Sequence, residues 1–216
     1  MKNARRHLAA DSRERILQEA EHLIHMRGYH CTSLDDIAKR CRMTKANLLH
    51  HFRSKEELGL AVLDYKIDAY RRCCLDPIFS DGSDPMGSVR ELFASAGRFY
   101  RGNGCKAGCF VGNMALEMSD LSERFREKAE AFFDEWAGRI AGELRRHQNL
   151  GRFAPAMDAS STAEAILSLY EGAIMLARTR RDHRVFDRTG RAATSLLRVH
   201  VRPIVHSRTQ GVTQGR

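Results

Sequence analysis

Residues 33–58, SLDDIAKRCRMTKANLLHHFRSKEEL, leave little choice of local fold. Leu34, Ile37 and Ala38 fall at i, i+3 and i+4, one apolar stripe on a short helix. Ser33 precedes them with Asp36 three residues on, an acidic variant of the capping box. The pattern breaks around Cys41-Arg42-Met43. Thr44 then reads as the N-cap of a second short helix, 45–52, with Leu48, Leu49 and Phe52 available to pack inward. Ser54, followed by Glu57, caps a third. Two short helices joined by a tight turn, the second led by polar residues, make a helix-turn-helix.

Such a unit fits duplex DNA because the major groove admits one helix. The leading residues Thr44, Lys45, Ala46 and Asn47 can then reach base edges. Lys45 can donate to guanine O6 and N7, Asn47 can pair with adenine, and Ala46 permits close approach or contact with a thymine methyl. His50, His51, Arg53 and Lys55 suit phosphates, which position a protein without reading sequence. The amides at Ser54-Lys55 open a helix, and that end attracts phosphate. The alternative is an ordinary bundle with a solvated charged face.

The wider segment RERILQEAEHLIHMRGYHCTSLDDIAKRCRMTKANLLHHFRSKEEL, residues 13–58, resembles the N-terminal domain of the TetR family of bacterial transcriptional regulators. The matching pieces are RGY-x-x-T-S, D-I-A, T-K-A-x-L, H-H-F and S-K-E-E-L. The resemblance implies base contacts from Thr44 to Asn47 and phosphate contacts from Ser33, His51 and Lys55. Two positions depart from the pattern. Leu49 stands where the family usually has a tyrosine that touches the DNA backbone. Arg42 stands where it usually has glycine; a positive φ there would cost a non-glycine residue on the order of 1 kcal/mol, which a phosphate contact from Arg42 would partly offset.

The 216 residues are 43% hydrophobic, enough for a globular core, and no apolar run approaches membrane-spanning length. No membrane partner and no cofactor are expected. The basic N-terminus lacks the apolar core of a signal peptide, so a cytoplasmic protein is expected, with its six cysteines mostly reduced. The net charge of +9 favours a polyanionic partner but does not locate it. Residues 176–216 are the most basic part, with 10 Lys+Arg against 2 Asp+Glu.

Residues 1–10 are expected as a flexible basic arm and 11–58 as the helix-turn-helix domain. Residues 59–205 would form a ligand-sensing and dimerisation domain, and 206–216 a disordered tail. Helix 1 is expected over 11–26 (Ile16, Leu17, Ala20, Leu23, Ile24), ended by Gly28. A long helix should run from Ser54 to about Leu75 and break at Pro77. Further helices are expected over 86–100, 110–118, 123–147, 160–180 and 189–201, so the fold class is all-α. Small residues on the last two helices (Ser168, Gly172, Ala173, Ala177, Ala192, Ala193, Ser195) allow close approach. In the family such a pair usually forms a four-helix dimer interface, and a homodimer suits a palindromic operator.

Within the second half, GCFVGNMALEMSDLSERFR (residues 108–126) resembles an electrophile-responsive, NemR-like subgroup of the family, whose reactive cysteine corresponds to Cys109. Lying at an apparent helix N-terminus three residues from Lys106, that thiol would be expected to ionise readily, with Cys105 a possible resolving thiol. The other reading makes Cys109 a small buried hydrophobe. A pocket for an unidentified small-molecule effector would draw on Phe110, Met114, Trp136 and Tyr170, among other apolar residues of the bundle. No catalytic signature, P-loop, dinucleotide fingerprint or metal spacing is present. A helical-bundle thiol enzyme, or an interaction module without specific DNA binding, are the competing classes. His22, His25 and His30 read as surface or satisfied histidines.

Overall fold

The computed structural model describes the backbone of residues 2–80 and 84–202, and the side chains of 11–80 and 84–202. The tail expected over 206–216 lies outside the described residues. Helix α1 spans Lys2–Arg27, so the backbone of the expected arm continues the helix instead of standing apart from it. Its stripe Ile16, Leu17, Ala20, Leu23 and Ile24 is buried as the spacing predicts. Gly28 ends it at φ +91°, its N–H donating to the Ile24 carbonyl at 2.8 Å.

Helices α2 (Leu34–Arg40), α3 (Lys45–His51) and α4 (Lys55–Tyr70) follow. The lever runs further than its sequence suggests. From Tyr70 the chain passes through one π-helical stretch, Arg71–Leu75, into a short α5, Asp76–Ile78. Pro77 does not break it, because it sits in the first turn of α5, where the missing N–H is tolerated.

The remaining helices are α6 (Pro85–Gly102), α7 (Phe110–Met118), α8 (Glu123–Asn149), α9 (Ala159–Arg180) and α10 (Val185–Arg198). Asp84 caps α6 through the Gly87 N–H, and Asp158 caps α9 through Ser160 and Ser161. Helix α10 begins four residues before its expected start, and Val185 and Phe186 are both buried there. Among the described residues the only extended pairing is an isolated bridge between Phe153 and Val201.

Helices α6, α8, α9 and α10 pack around an aromatic core. Trp136 meets Tyr170 at 4.9 Å between ring centroids, and Tyr170 meets Phe93 at 5.5 Å. Close approach is carried by small residues: a Cβ at Gly190 would lie 2.8 Å from that of Phe93. The small residues grouped above therefore divide. Ala173, Ala177 and Ala193 are fully buried within the chain, whereas Ser168, Ala192 and Ser195 face outward.

Candidate nucleic-acid interface and effector cavity

The reading head is built by its caps. Ser33 accepts the Asp36 N–H at 3.1 Å while Asp36 accepts the Ser33 N–H at 3.0 Å, a complete capping box. At the other end of α2, Met43 N–H donates to the Ala38 carbonyl at 3.0 Å and Arg42 N–H to that of Lys39 at 3.1 Å. This Schellman turn needs a left-handed residue, and Arg42 supplies it at φ +52°. Thr44 caps α3 by accepting the Asn47 N–H at 3.2 Å. Arg15 of α1 braces the turn by donating to the Cys41 carbonyl at 3.1 Å.

Leu48 and Phe52 anchor α3 to the core, which leaves Thr44, Lys45, Ala46 and Asn47 exposed along its leading edge. Lys45 is held by Asp35 at 2.8 Å. Ser33, Arg42 and His50 are also exposed, and His51 is half-buried. Leu49, expected to be available for inward packing, is half-buried. Lys55 is engaged by the fold: its ammonium lies 4.4 Å from the Tyr29 ring centroid and donates to the His30 carbonyl at 3.3 Å.

This head is bolted to α7. The Glu117 carboxylate accepts the Tyr29 and His30 N–H groups at 2.8 and 2.6 Å. His25, read from the sequence as surface or satisfied, reaches the Gly108 carbonyl at 3.0 Å and the Glu21 carboxylate at 3.2 Å. Its ring stands edge-on to Phe110 at 5.3 Å. Burial alone would raise the Glu21 carboxyl, but hydrogen bonds from His25 and Lys66 outweigh it and hold it at about 2. Glycine 59 sets how close α4 comes: a Cβ there would stand 2.5 Å from the Tyr29 ring and 2.9 Å from that of Phe125. Nothing in the local sequence pattern marks Glu117 or His25, because their partners lie 83 to 88 residues away.

Beyond the junction lies a cavity of about 340 Å³. It gathers Cys109, Trp136 and Tyr170 of the expected effector residues, together with Tyr70, Tyr100, Cys73 and Cys74. Burial pushes the hydroxyls of Tyr70, Tyr100 and Tyr170 upward, so they stay protonated. The indole Nε1 of Trp136 is buried with no partner. The expected ready ionisation of Cys109 is reversed: burial first, and the Glu171 charge second, raise its thiol well above the usual range. Lys106 is exposed and takes no part in that shift. Cys105 is 2% exposed and is not among the residues lining this cavity. Phe110 and Met114 are buried and line a separate cleft between α1 and α7.

Sequence comparison now bears on this geometry. Residues 16–62 match the family described as "Bacterial regulatory proteins, tetR family", and residues 85–193 match "Tetracyclin repressor-like, C-terminal domain". The chain belongs to the TetR family. It is similar to the transcriptional regulator AcuR of Cereibacter sphaeroides, 34% identical over 73% of this chain and 72% of that protein. It is also similar to the transcriptional repressor NemR of Escherichia coli K12, 27% identical over 56% of this chain and 61% of that one. A TetR transcriptional regulator from Chloroflexus aurantiacus superposes with a TM-score of 0.81 at 26% identity, covering 91% of this chain and 98% of its own. The reduced form of E. coli NemR shares the fold at 22% identity, with a TM-score of 0.77, covering 90% and 100%. The chain is thus a TetR-family transcriptional regulator with an N-terminal helix-turn-helix, and the leading edge of its α3 is exposed.

Proposed function

We propose that this TetR-family member is a cytoplasmic homodimeric repressor that leaves a palindromic operator when its C-terminal cavity takes up a small molecule. The observation that carries the reading is the shared wall between cavity and reading head. Cys109 lines the cavity, the preceding carbonyl of Gly108 is bonded to His25 on α1, and Glu117 at the far end of α7 holds the Tyr29–His30 turn. Tyr70, on the lever α4, also lines the cavity. A ligand that prefers a displaced α7 or α4 would shift the separation of the two heads in the dimer. The cavity's protonated hydroxyls and apolar walls, with Lys66 already paired to Glu21, suit an uncharged molecule with an acceptor atom. Cys109 is the proposed point of capture for an electrophile, following the resemblance of residues 108–126 to the electrophile-responsive subgroup.

The test is binding of the chain to DNA from upstream of its own gene, with and without a quinone or aldehyde. Wild type should bind and be released. Cys109→Ser should bind but resist release, and Lys45→Ala should bind about 1–3 kcal/mol more weakly. An operator affinity unchanged in Lys45→Ala would overturn the groove assignment. A thiol enzyme would instead turn over the electrophile many times per chain, where a sensor forms one adduct.

A further inference from the structure

Cys109 presents a chemical contradiction. Electrophile capture needs sulfur as a nucleophile, yet its thiol is buried and protonated. Its surroundings offer a way out. The sulfur accepts the Gly112 N–H at 3.3 Å, and the Tyr70 hydroxyl and the Glu171 carboxyl stand close enough to act on its ionisation. Glycine at 112 is what lets thiol and carboxyl share this notch, since a Cβ there would stand 3.0 Å from Glu171 Oε2 and 3.6 Å from the sulfur. The other carboxyl oxygen, Oε1, is buried with no partner. Glu171 lines a second cavity of about 750 Å³, Cys109 lines both cavities, and Trp136, whose buried Nε1 has no partner, lines the first.

We propose that Glu171 is the proton acceptor for Cys109, and that Trp136 orients the electrophile, a small molecule with a carbonyl conjugated to a carbon–carbon double bond. This deepens the reading of Cys109 as the capture point and rests on it. The carbonyl oxygen accepts the indole N–H. Sulfur forms a bond to the β-carbon as the S–H bond breaks, and the proton passes to the Glu171 carboxylate. The double-bond electrons move to the α-carbon and carbonyl as an enolate. Glu171 returns the proton to the α-carbon. The thiol has then added across the double bond, with no oxidant or reductant consumed. Around Glu171 stand Cys109 at the N-cap of α7, Tyr100 of α6, Tyr170 and Arg178 of its own helix, and Arg181 just past the end of that helix. Burial raises the Glu171 carboxyl to about 7, against a lowering by Cys109, so the base forms near neutral pH.

The probe is methyl vinyl ketone, applied to the full-length protein, with adducts mapped by mass spectrometry against time from pH 5.5 to 8.5. The cysteines outside both cavities, the exposed Cys31 foremost, serve as internal references. The wild-type rate at Cys109 should rise to a plateau above about pH 7, following Glu171. A reaction through free thiolate would climb about tenfold per pH unit without levelling below the thiol pKa. Glu171→Gln should slow Cys109 on the order of 10²-fold while the reference cysteines keep their rates, and Glu171→Asp should recover part of the loss. Trp136→Phe should raise the concentration that saturates the reaction. A Glu171→Gln rate equal to wild type, a Cys109 profile without a plateau, or alkylation confined to the reference cysteines would each overturn the proposal. Operator release by methyl vinyl ketone is followed in parallel with Cys109→Ser. Release that persists without a Cys109 adduct leaves the effector-released repressor standing and removes the thiol chemistry; no release despite an adduct removes the sensor reading itself.

Discussion

At the scale of single residues, burial decides what each group can do. Glu171 shows the cost of a buried carboxyl kept beside a thiol. Its folded pKa, about 7, lies above the ordinary carboxylate value of 4.5. Between those values the folded chain holds a proton that the unfolded chain has lost, so stability falls as pH rises from 4.5 through 7. Glu171→Gln removes that penalty. Its thermal midpoint should match wild type near pH 5 and exceed it at pH 8, by the equivalent of up to about 3 kcal/mol. Equal midpoints at both pH values would show that the carboxyl is not strained by burial. The same scale explains what the sequence could and could not say. The caps Ser33 and Thr44 were legible because a cap is fixed by neighbours three residues away. The left-handed Arg42 was legible as a departure from glycine. The protonation of Cys109 was not, because it depends first on burial among several helices and then on the charge of Glu171, which arrives from α9.

At the scale of elements, the apolar periodicities placed most helices to within a few residues, and the errors have physical causes. Pro77 reads as a breaker, yet it is harmless in the first turn of α5. Lys55 also lies over the Tyr29 ring, a contact that local pattern does not reveal. What local pattern cannot supply is the link between elements, and here that link is His25. Its ring joins α1 to the residue before Cys109 and packs on Phe110. His25→Phe keeps an aromatic ring against Phe110 and deletes both hydrogen bonds, each worth about 1 kcal/mol net. Operator affinity without effector should stay within a few-fold of wild type. The ratio of affinities with and without effector should shrink, because coupling of about 1–3 kcal/mol passes partly through this bond. Fluorescence anisotropy titrations in both states measure it, and an unchanged ratio would mean that α4 alone carries the signal.

At the scale of the whole molecule, the chain presents one reading head, and a palindrome needs two. The outward face of α9 and α10 carries Met175 at 63% exposure, Leu196 at 41% and Val199 at 78%, interleaved with Ser168, Ala192 and Ser195. Large apolar side chains among small ones, on two adjacent helices, are what a two-fold four-helix contact uses. Three of the seven small residues read from the sequence serve the chain's own interior instead, since periodicity alone does not tell the two faces apart. Leu196→Asp and Ala192→Arg both change exposed positions, so the monomer fold should survive in each. Either should move the light-scattering mass from two chains to one. Losing the second head removes the effective concentration that the dimer supplies, so operator affinity should fall about 10²–10⁴-fold. Helical content should remain, and a half-site alone should still be bound with the weak affinity of a single head. A variant that stays dimeric with wild-type operator affinity would place the two-fold contact on another face, and the separation of the heads would then have to be derived from that face.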